Sequence, residues 1–333
     1  RVRRQRQMCI RDREQSNTIL RDFQIRKTKA QKETFRAWLC AELEKAGYAP
    51  KVEAERSLVK SHNVVVGDPE RAEVLFTAHY DTCAVLPFPN FITPRNFLFY
   101  LLYQILILAA MMVVIIAAVV VLLLAGDRIF DDPAISSAVT GVVMYGLLLF
   151  FVFWMLGAGR ANKHTANDNT SGVLTLLESA LALPPEDRDK VCFVFFDNEE
   201  KGLFGSSAFA RRHKAARKET LVVNFDCVSD GDYLQLYPSK AVKRDPAAME
   251  ALERAFQGRG EKETEVYRGF AFYPSDQAQF KKGVGVCALK KKPLLGYYMD
   301  RIHTGRDTVL EEENIALLRD GALRLAKNVK GER

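Results

Sequence analysis

Two imidazoles and several carboxylates recur along this chain in short motifs: His79-Tyr80-Asp81, Asn167-Asp168-Asn169, Glu199-Glu200, Asp226 and His303. Nitrogen and oxygen donors of these types hold divalent metals, and a carboxylate beyond the ligand set can act as a base toward water. His79-x-Asp81 puts two side chains on one face of a strand end. Asp81 can then accept a hydrogen bond from one ring nitrogen while the other binds metal. Taken alone, that spacing is more often a solvated turn, and Asp168 more often a helix-capping residue. Glu199-Glu200 is more telling. Two adjacent acids just after an apolar run are costly unless exposed or satisfied by partners. On extended backbone their side chains diverge, so one can ligate metal while the other faces substrate as general base.

The segments that must position these residues read as strands. His79 follows the apolar stretch Ala72–Ala78, Glu199 and Glu200 follow Val191–Phe196, and Asp226 closes Leu221–Phe225. Continuously apolar runs of this length suit central strands buried on both faces. Further strands are expected at Val52–Ser57, Asn63–Gly67 and Val284–Leu289. Helical spacing and stop signals predict helices over Thr34–Ala46, from a cap at Asn169-Thr170-Ser171 to about Leu183, and over Leu203–His213, Pro246–Gln257 and Glu311–Lys327. Strand and helix alternate, so the class is α/β with a mixed or mostly parallel sheet. Such sheets place their crevice outside the carboxyl ends of the strands, where these scattered motifs would converge.

Two long uncharged runs interrupt this pattern. Phe97–Ala125 has 29 residues with Gln104 as its only clearly polar side chain, and Val139–Ala158 has 20. At about 1.5 Å per residue both can cross a hydrocarbon core of about 30 Å. The connector Gly126–Pro133 carries three Asp against one Arg, whereas Arg95, Arg160 and Lys163 flank the pair. That asymmetry places both flanks, and with them the enzyme, in the cytoplasm. Phe99, Tyr100, Tyr103 and Trp154 suit an interfacial belt. The expected organisation is a basic arm over 1–29, one catalytic domain formed by 30–96 and 159–333, and a transmembrane hairpin over 97–158.

The net charge of +7 resides entirely in the arm, where ten basic residues face three acidic ones. The remainder is neutral, which argues for lipid headgroups and against nucleic acid as a partner. Met8 to Arg13 reads as translated adapter sequence and carries no fold expectation. The six cysteines show no close pairing and no signal peptide is visible, which favours a reducing compartment. His62 and His213 are expected at the surface, and His164 near the membrane.

The strings FTAHYDT, ANDNTSGV, FFDNEEKGLFGS, VVNFD and HTGRDT, in this order, closely resemble the two-zinc aminopeptidase family, whose relatives include glutamate carboxypeptidase and glutaminyl cyclase. The resemblance implies a mixed, mostly parallel sheet of about eight strands sandwiched by helices. It implies that Asp168 bridges two Zn2+ ions, with His79 and Asp226 on one and Glu200 and His303 on the other. Co2+ or Mn2+ could take their place. Glu199 matches the general base that deprotonates a water between the metals, and Asp81 the residue that orients His79. Peptides would be the substrates. The other activities it allows are those of a carboxypeptidase, another amide hydrolase or a glutaminyl cyclase-like enzyme, or a silent binding protein. In the loop Ser275–Phe280, Gln277 stands where the family often has His, and no catalytic role is assigned there.

Overall fold

The computed structural model describes residues 15–331 except Ser57, Pro87, Asp131 and residues 154–158. The Met8–Arg13 run, the connector's Asp131 and the belt residue Trp154 lie outside the described residues. In chain order the main elements are α1 (Lys29–Lys45), β1 (Lys51–Arg56), β2 (Lys60–Val66), β3 (Val74–His79), α2 (Phe97–Ile129) and α3 (Pro133–Phe153). There follow α4 (Gly172–Ala182), β4 (Val191–Phe196), α5 (Phe204–Arg212), α6 (Lys214–Lys218), β5 (Leu221–Phe225), β6 (Tyr233–Pro238) and α7 (Lys240–Lys243). The chain closes with α8 (Pro246–Ala255), β7 (Glu263–Val266), β8 (Gly283–Lys292), β9 (Gly296–Tyr298) and α9 (Glu312–Gly331).

The strands form one mixed sheet in the order β1-β2-β4-β3-β5-β8-β6-β7, with β9 paired to β8. Its central run β4-β3-β5-β8 is parallel, and antiparallel pairs join β1 to β2, β2 to β4 and β6 to β8. The apolar run of β4 serves two cores at once. Val191, Phe193 and Phe195 pack on the side of α1, α4 and α9, while Cys192, Val194 and Phe196 pack toward Phe209 of α5. The register sets His79 beside Phe196, so β3 and β4 end level and deliver their motifs to the same edge.

Several boundaries differ from expectation for local reasons. Helix α1 starts at Lys29 because Thr28 and Gln31 form a reciprocal capping box. Helix α3 starts at Pro133, a residue suited to the first helical turn. Strands β6, β7 and β9 were not foreseen. Within the segment 1–29, the described part from Gln15 packs on the domain, with Ile19 and Arg26 fully buried. The Arg26 guanidinium donates to the carbonyls of Phe23 and Tyr80 and to Thr170 Oγ1. His213, expected at the surface, is buried instead. It is clamped between Glu53 and Glu70, 2.9 Å from each carboxylate, because α5 ends against β1.

Helices α2 (33 residues) and α3 (21 residues) are long and apolar enough to cross a membrane, and most of their side chains are exposed. They approach closely where Gly126 meets Ser136: a Cβ on Gly126 would stand 2.3 Å from the serine Oγ. Small residues at such a crossing let two helix backbones come together. The base of the hairpin is stitched to the domain. Ala84 pairs with Ala161 and Ile92 with Met299, and Phe91, Phe99 and Tyr103 form an aromatic cluster that reaches Tyr298.

Candidate metal centre

The structure brings His79, Asp168, Glu199, Glu200, Asp226 and His303 together around one cleft at the carboxyl edge of the sheet. His79 Nε2 lies 3.4 Å from an oxygen of Asp168 and 3.4 Å from one of Asp226. His303 Nε2 lies 2.9 Å from the other oxygen of Asp168 and 3.3 Å from Glu200. The two carboxylate oxygens of Asp168 thus face different imidazoles. His79 Nδ1 is 3.1 Å from the main-chain carbonyl of Asp81 and 3.7 Å from its carboxylate. The carbonyl therefore fixes the tautomer, leaving Nε2 toward the carboxylates. Asp81 does something else as well: its carboxylate accepts the backbone N–H of Glu199 at 3.0 Å.

The turn Ala166–Ser171 that carries Asp168 is held from outside. Asn169 donates its amide to the carbonyls of His79 and Phe225 and accepts the N–H groups of Gly172 and Cys227. It therefore ties the ends of β3 and β5 to the start of α4. Gly172 is required there, because a Cβ would stand 2.3 Å from both Asn169 Oδ1 and the Phe225 carbonyl. Asn167 accepts the N–H groups of Ser229 and Asp230. Asp307, in the loop after His303, accepts the N–H groups of Asn167 and Asp168 at 2.7 and 2.9 Å. None of these clamps was foreseen. Their residues lie inside the quoted motifs, but the contacts span up to 140 positions and leave no local pattern. Asn198, Cys227 and His303 also hold positive φ of 57°, 56° and 59°, a conformation costly for non-glycine residues and recurrent at functional sites.

Electrostatics follow from burial. Desolvation pushes the Glu199 carboxyl well up, opposed by His79 and reinforced by Glu200, Asp276 and Asp226. Burial drives Glu200 up to about 8 against the pull of His303. Asp168 goes the other way: burial would raise it, but hydrogen bonds from His303 and His79 hold it below the usual carboxylate range. Burial opposes the charge on His303, yet Glu200 and Asp168 lift it to about 9. Asp276 is buried, and desolvation brings it to about 7 against the pull of His79 and Ser206. Gln277 beside it ties Asn224 to the Tyr273 carbonyl.

Glu200 Oε1 is buried without a hydrogen-bond partner among the described residues. An orphaned carboxylate oxygen facing a cluster of acids and imidazoles fits a cation, and these oxygen and nitrogen donors suit zinc. Three overlapping groups have donor atoms within 4.8 Å of one another: His79 with Asp168 and Asp226, His79 with Glu199 and Glu200, and Asp168 with Glu200, His303 and Cys83. The Cys83 thiol lies in that last group, with its acidity suppressed by burial and by the charges of Glu200 and Asp168.

No curated protein matches the chain. Among solved structures, the LapA aminopeptidase of Legionella pneumophila aligns at 16% identity and TM-score 0.57, covering 96% of this chain and 69% of that one. Porphyromonas gingivalis glutaminyl cyclase aligns at 18% and 0.57, covering 97% and 96%. A Zn-dependent exopeptidase from Parabacteroides distasonis aligns at 14% and 0.54, covering 95% of each. These likenesses establish the fold. The sequence model of peptidase family M28 matches residues 155–324, a stretch that begins after the apolar helices and contains Asp168, Glu200, Asp226 and His303. With that match over half its length, the chain belongs to peptidase family M28, a family of zinc metallopeptidases.

Proposed function

We propose that the protein is a two-zinc aminopeptidase anchored in a membrane by the α2–α3 hairpin, with its catalytic domain on the cytoplasmic side. The observation that carries this reading is Asp168, whose carboxylate oxygens face His79 and His303 separately and so suit a bridging ligand. His79 and Asp226 would complete one ion's protein ligands, Glu200 and His303 the other's. Bound zinc would polarise a carbonyl and acidify water; Co2+ and Mn2+ accept similar donors.

Glu199 lines the same cleft, and its surroundings raise its proton affinity. That suits a base which takes a proton from the attacking water and returns it to the leaving amine. Asp81 acts behind it, holding the Glu199 backbone and the His79 ring from one residue. The test is hydrolysis of matched free and N-acetylated peptides by detergent-purified, zinc-loaded protein, with Glu199→Gln alongside. Cleavage of free-amine peptides alone, reduced at least 1,000-fold in a variant that keeps its metal, is the expected result. Comparable turnover by Glu199→Gln would remove the base assignment.

A second reading, a glutaminyl cyclase, draws on the fold shared with the Porphyromonas enzyme over nearly the full length of both chains. Release of ammonia from peptides that begin with Gln, without peptide-bond cleavage, would favour it. A full set of five candidate ligands, with His79 and Asp226 beside Asp168, suits two ions and so favours the peptidase.

A further inference from the structure

The cleft continues into a second cavity of about 210 Å3, room for far more than a single water. Its floor is Glu200 and His303. One wall is Leu86, from the strip before the hairpin, and another is Tyr100, Gln104 and Ile107 of α2. A helix long enough to cross a membrane therefore forms part of the cavity that opens onto the metal ligands. Besides Glu200 and His303, no lining residue among the described residues is a carboxylic acid or a basic side chain.

Gln104 is the second observation. It is the only clearly polar side chain in the uncharged run Phe97–Ala125, and it has no hydrogen-bond partner among the described residues. An amide in such a helix is costly unless it faces a cavity or a partner, and intramembrane polar groups mark substrate paths. Here it faces this cavity. Its neighbours Leu101, Leu102, Ile105 and Leu106 point away and are exposed. The aromatic contacts of Phe97 and Tyr100 with Phe272 hold that face of the helix toward the domain.

We propose that this cavity is a specificity subsite built by the membrane helix. It would take the uncharged, apolar side chain of a residue flanking the scissile amide, with Gln104 donating to or accepting from the substrate main chain. A Lys or Glu side chain entering it would lose water and gain no partner of opposite charge beyond the ligands themselves. The proposal rests on the peptidase reading, and its test separates the two.

Zinc-loaded protein in lipid nanodiscs is given dipeptides X-Ala and Ala-X, with X as Ala, Leu, Phe, Lys or Glu, together with Ile107→Trp and Gln104→Leu variants. At one of the two positions the wild type is expected to prefer Leu and Phe over Lys and Glu by roughly tenfold or more. Ile107→Trp should erase the preference for Leu over Ala at that position, cutting kcat/KM for the Leu dipeptide far more than for Ala-Ala, with zinc content near wild type. Gln104→Leu should raise KM by about fivefold for every dipeptide, the scale of one lost hydrogen bond, with kcat little changed. Equal losses for Ala and Leu in Ile107→Trp, or an unaltered preference, would overturn the subsite.

If the wild type cleaves none of the dipeptides, the peptidase reading fails, and calorimetry with leucine and glycine hydroxamates reads the cavity directly. Tighter binding of the leucine compound, lost in Ile107→Trp, upholds the subsite; equal binding of both by the wild type rejects it.

Discussion

Lys32 sits beneath the turn that carries Glu199 and Glu200, and replacing it by Met should loosen that turn from behind. Its ammonium donates to Asp197 at 2.5 Å and to Asn198 at 2.7 Å, with only 7% of the Lys side chain and 1% of the Asp side chain exposed. The other Asp197 oxygen accepts the His62 N–H at 2.9 Å, and Asn198 also ties to Lys60 and Ser61 of β2. Lys32→Met leaves a buried carboxylate with one backbone donor. Breaking a buried pair from one side costs about 3–5 kcal/mol. At roughly 2–3 °C per kcal/mol for a domain of this size, the apparent Tm should fall by roughly 6–15 °C. Thermal unfolding followed by intrinsic fluorescence in detergent measures this. Adding Asp197→Asn should recover more than half of the loss, because the stranded charge is then gone. A Tm within 2 °C of wild type in the single variant, or no recovery in the double, would refute the reasoning.

Asp307→Ala removes two hydrogen bonds from the turn bearing Asp168, each worth about 0.5–1.5 kcal/mol. Zinc affinity by chelator competition should drop by about 10- to 100-fold, the usual scale for losing a support behind a ligand. Gly172→Ala forces a Cβ against Asn169 and Phe225 and should destabilise by about 1–3 kcal/mol in a denaturant titration, while Gly141→Ala in open space should not. For His213, burial disfavours the charge, but hydrogen bonds and charges from Glu53 and Glu70 outweigh it and raise its affinity for a proton. Its folded value then exceeds the unfolded one, so the contribution is fully present below about 6.5 and fades as pH rises through the folded value. The stability gap between wild type and His213→Gln should be larger at pH 6 than at pH 9; an equal gap at both would count against the clamp.

The strands that deliver the site were legible because burial on both faces writes itself as unbroken apolar runs, as in VCFVFF and LVVNF. The acids and imidazoles stood out because each follows such a run. Strand β6 was not legible because its buried Gln235 breaks the apolar pattern, and the side-chain oxygen of that glutamine accepts from Arg95, far along the chain. Arg26, Lys32 and His213 were hidden for a related reason. Sequence assigns charged residues to solvent, and only tertiary structure supplies the partners that let them go inside. The face of α2 that meets the domain is marked in the sequence by Gln104 alone, a single polar residue in an otherwise apolar helix.

The position of the hairpin sets an order of assembly. His79 emerges from the ribosome before the two apolar helices, and every other proposed ligand after them. In the membrane-spanning arrangement, a chain whose second helix fails to insert leaves Asp168, Glu200, Asp226 and His303 across the bilayer from His79. The complete centre then exists only in molecules with correct topology, so metal capture becomes a proofreading step for membrane insertion. A population of half-inserted chains would remain catalytically silent until it was cleared.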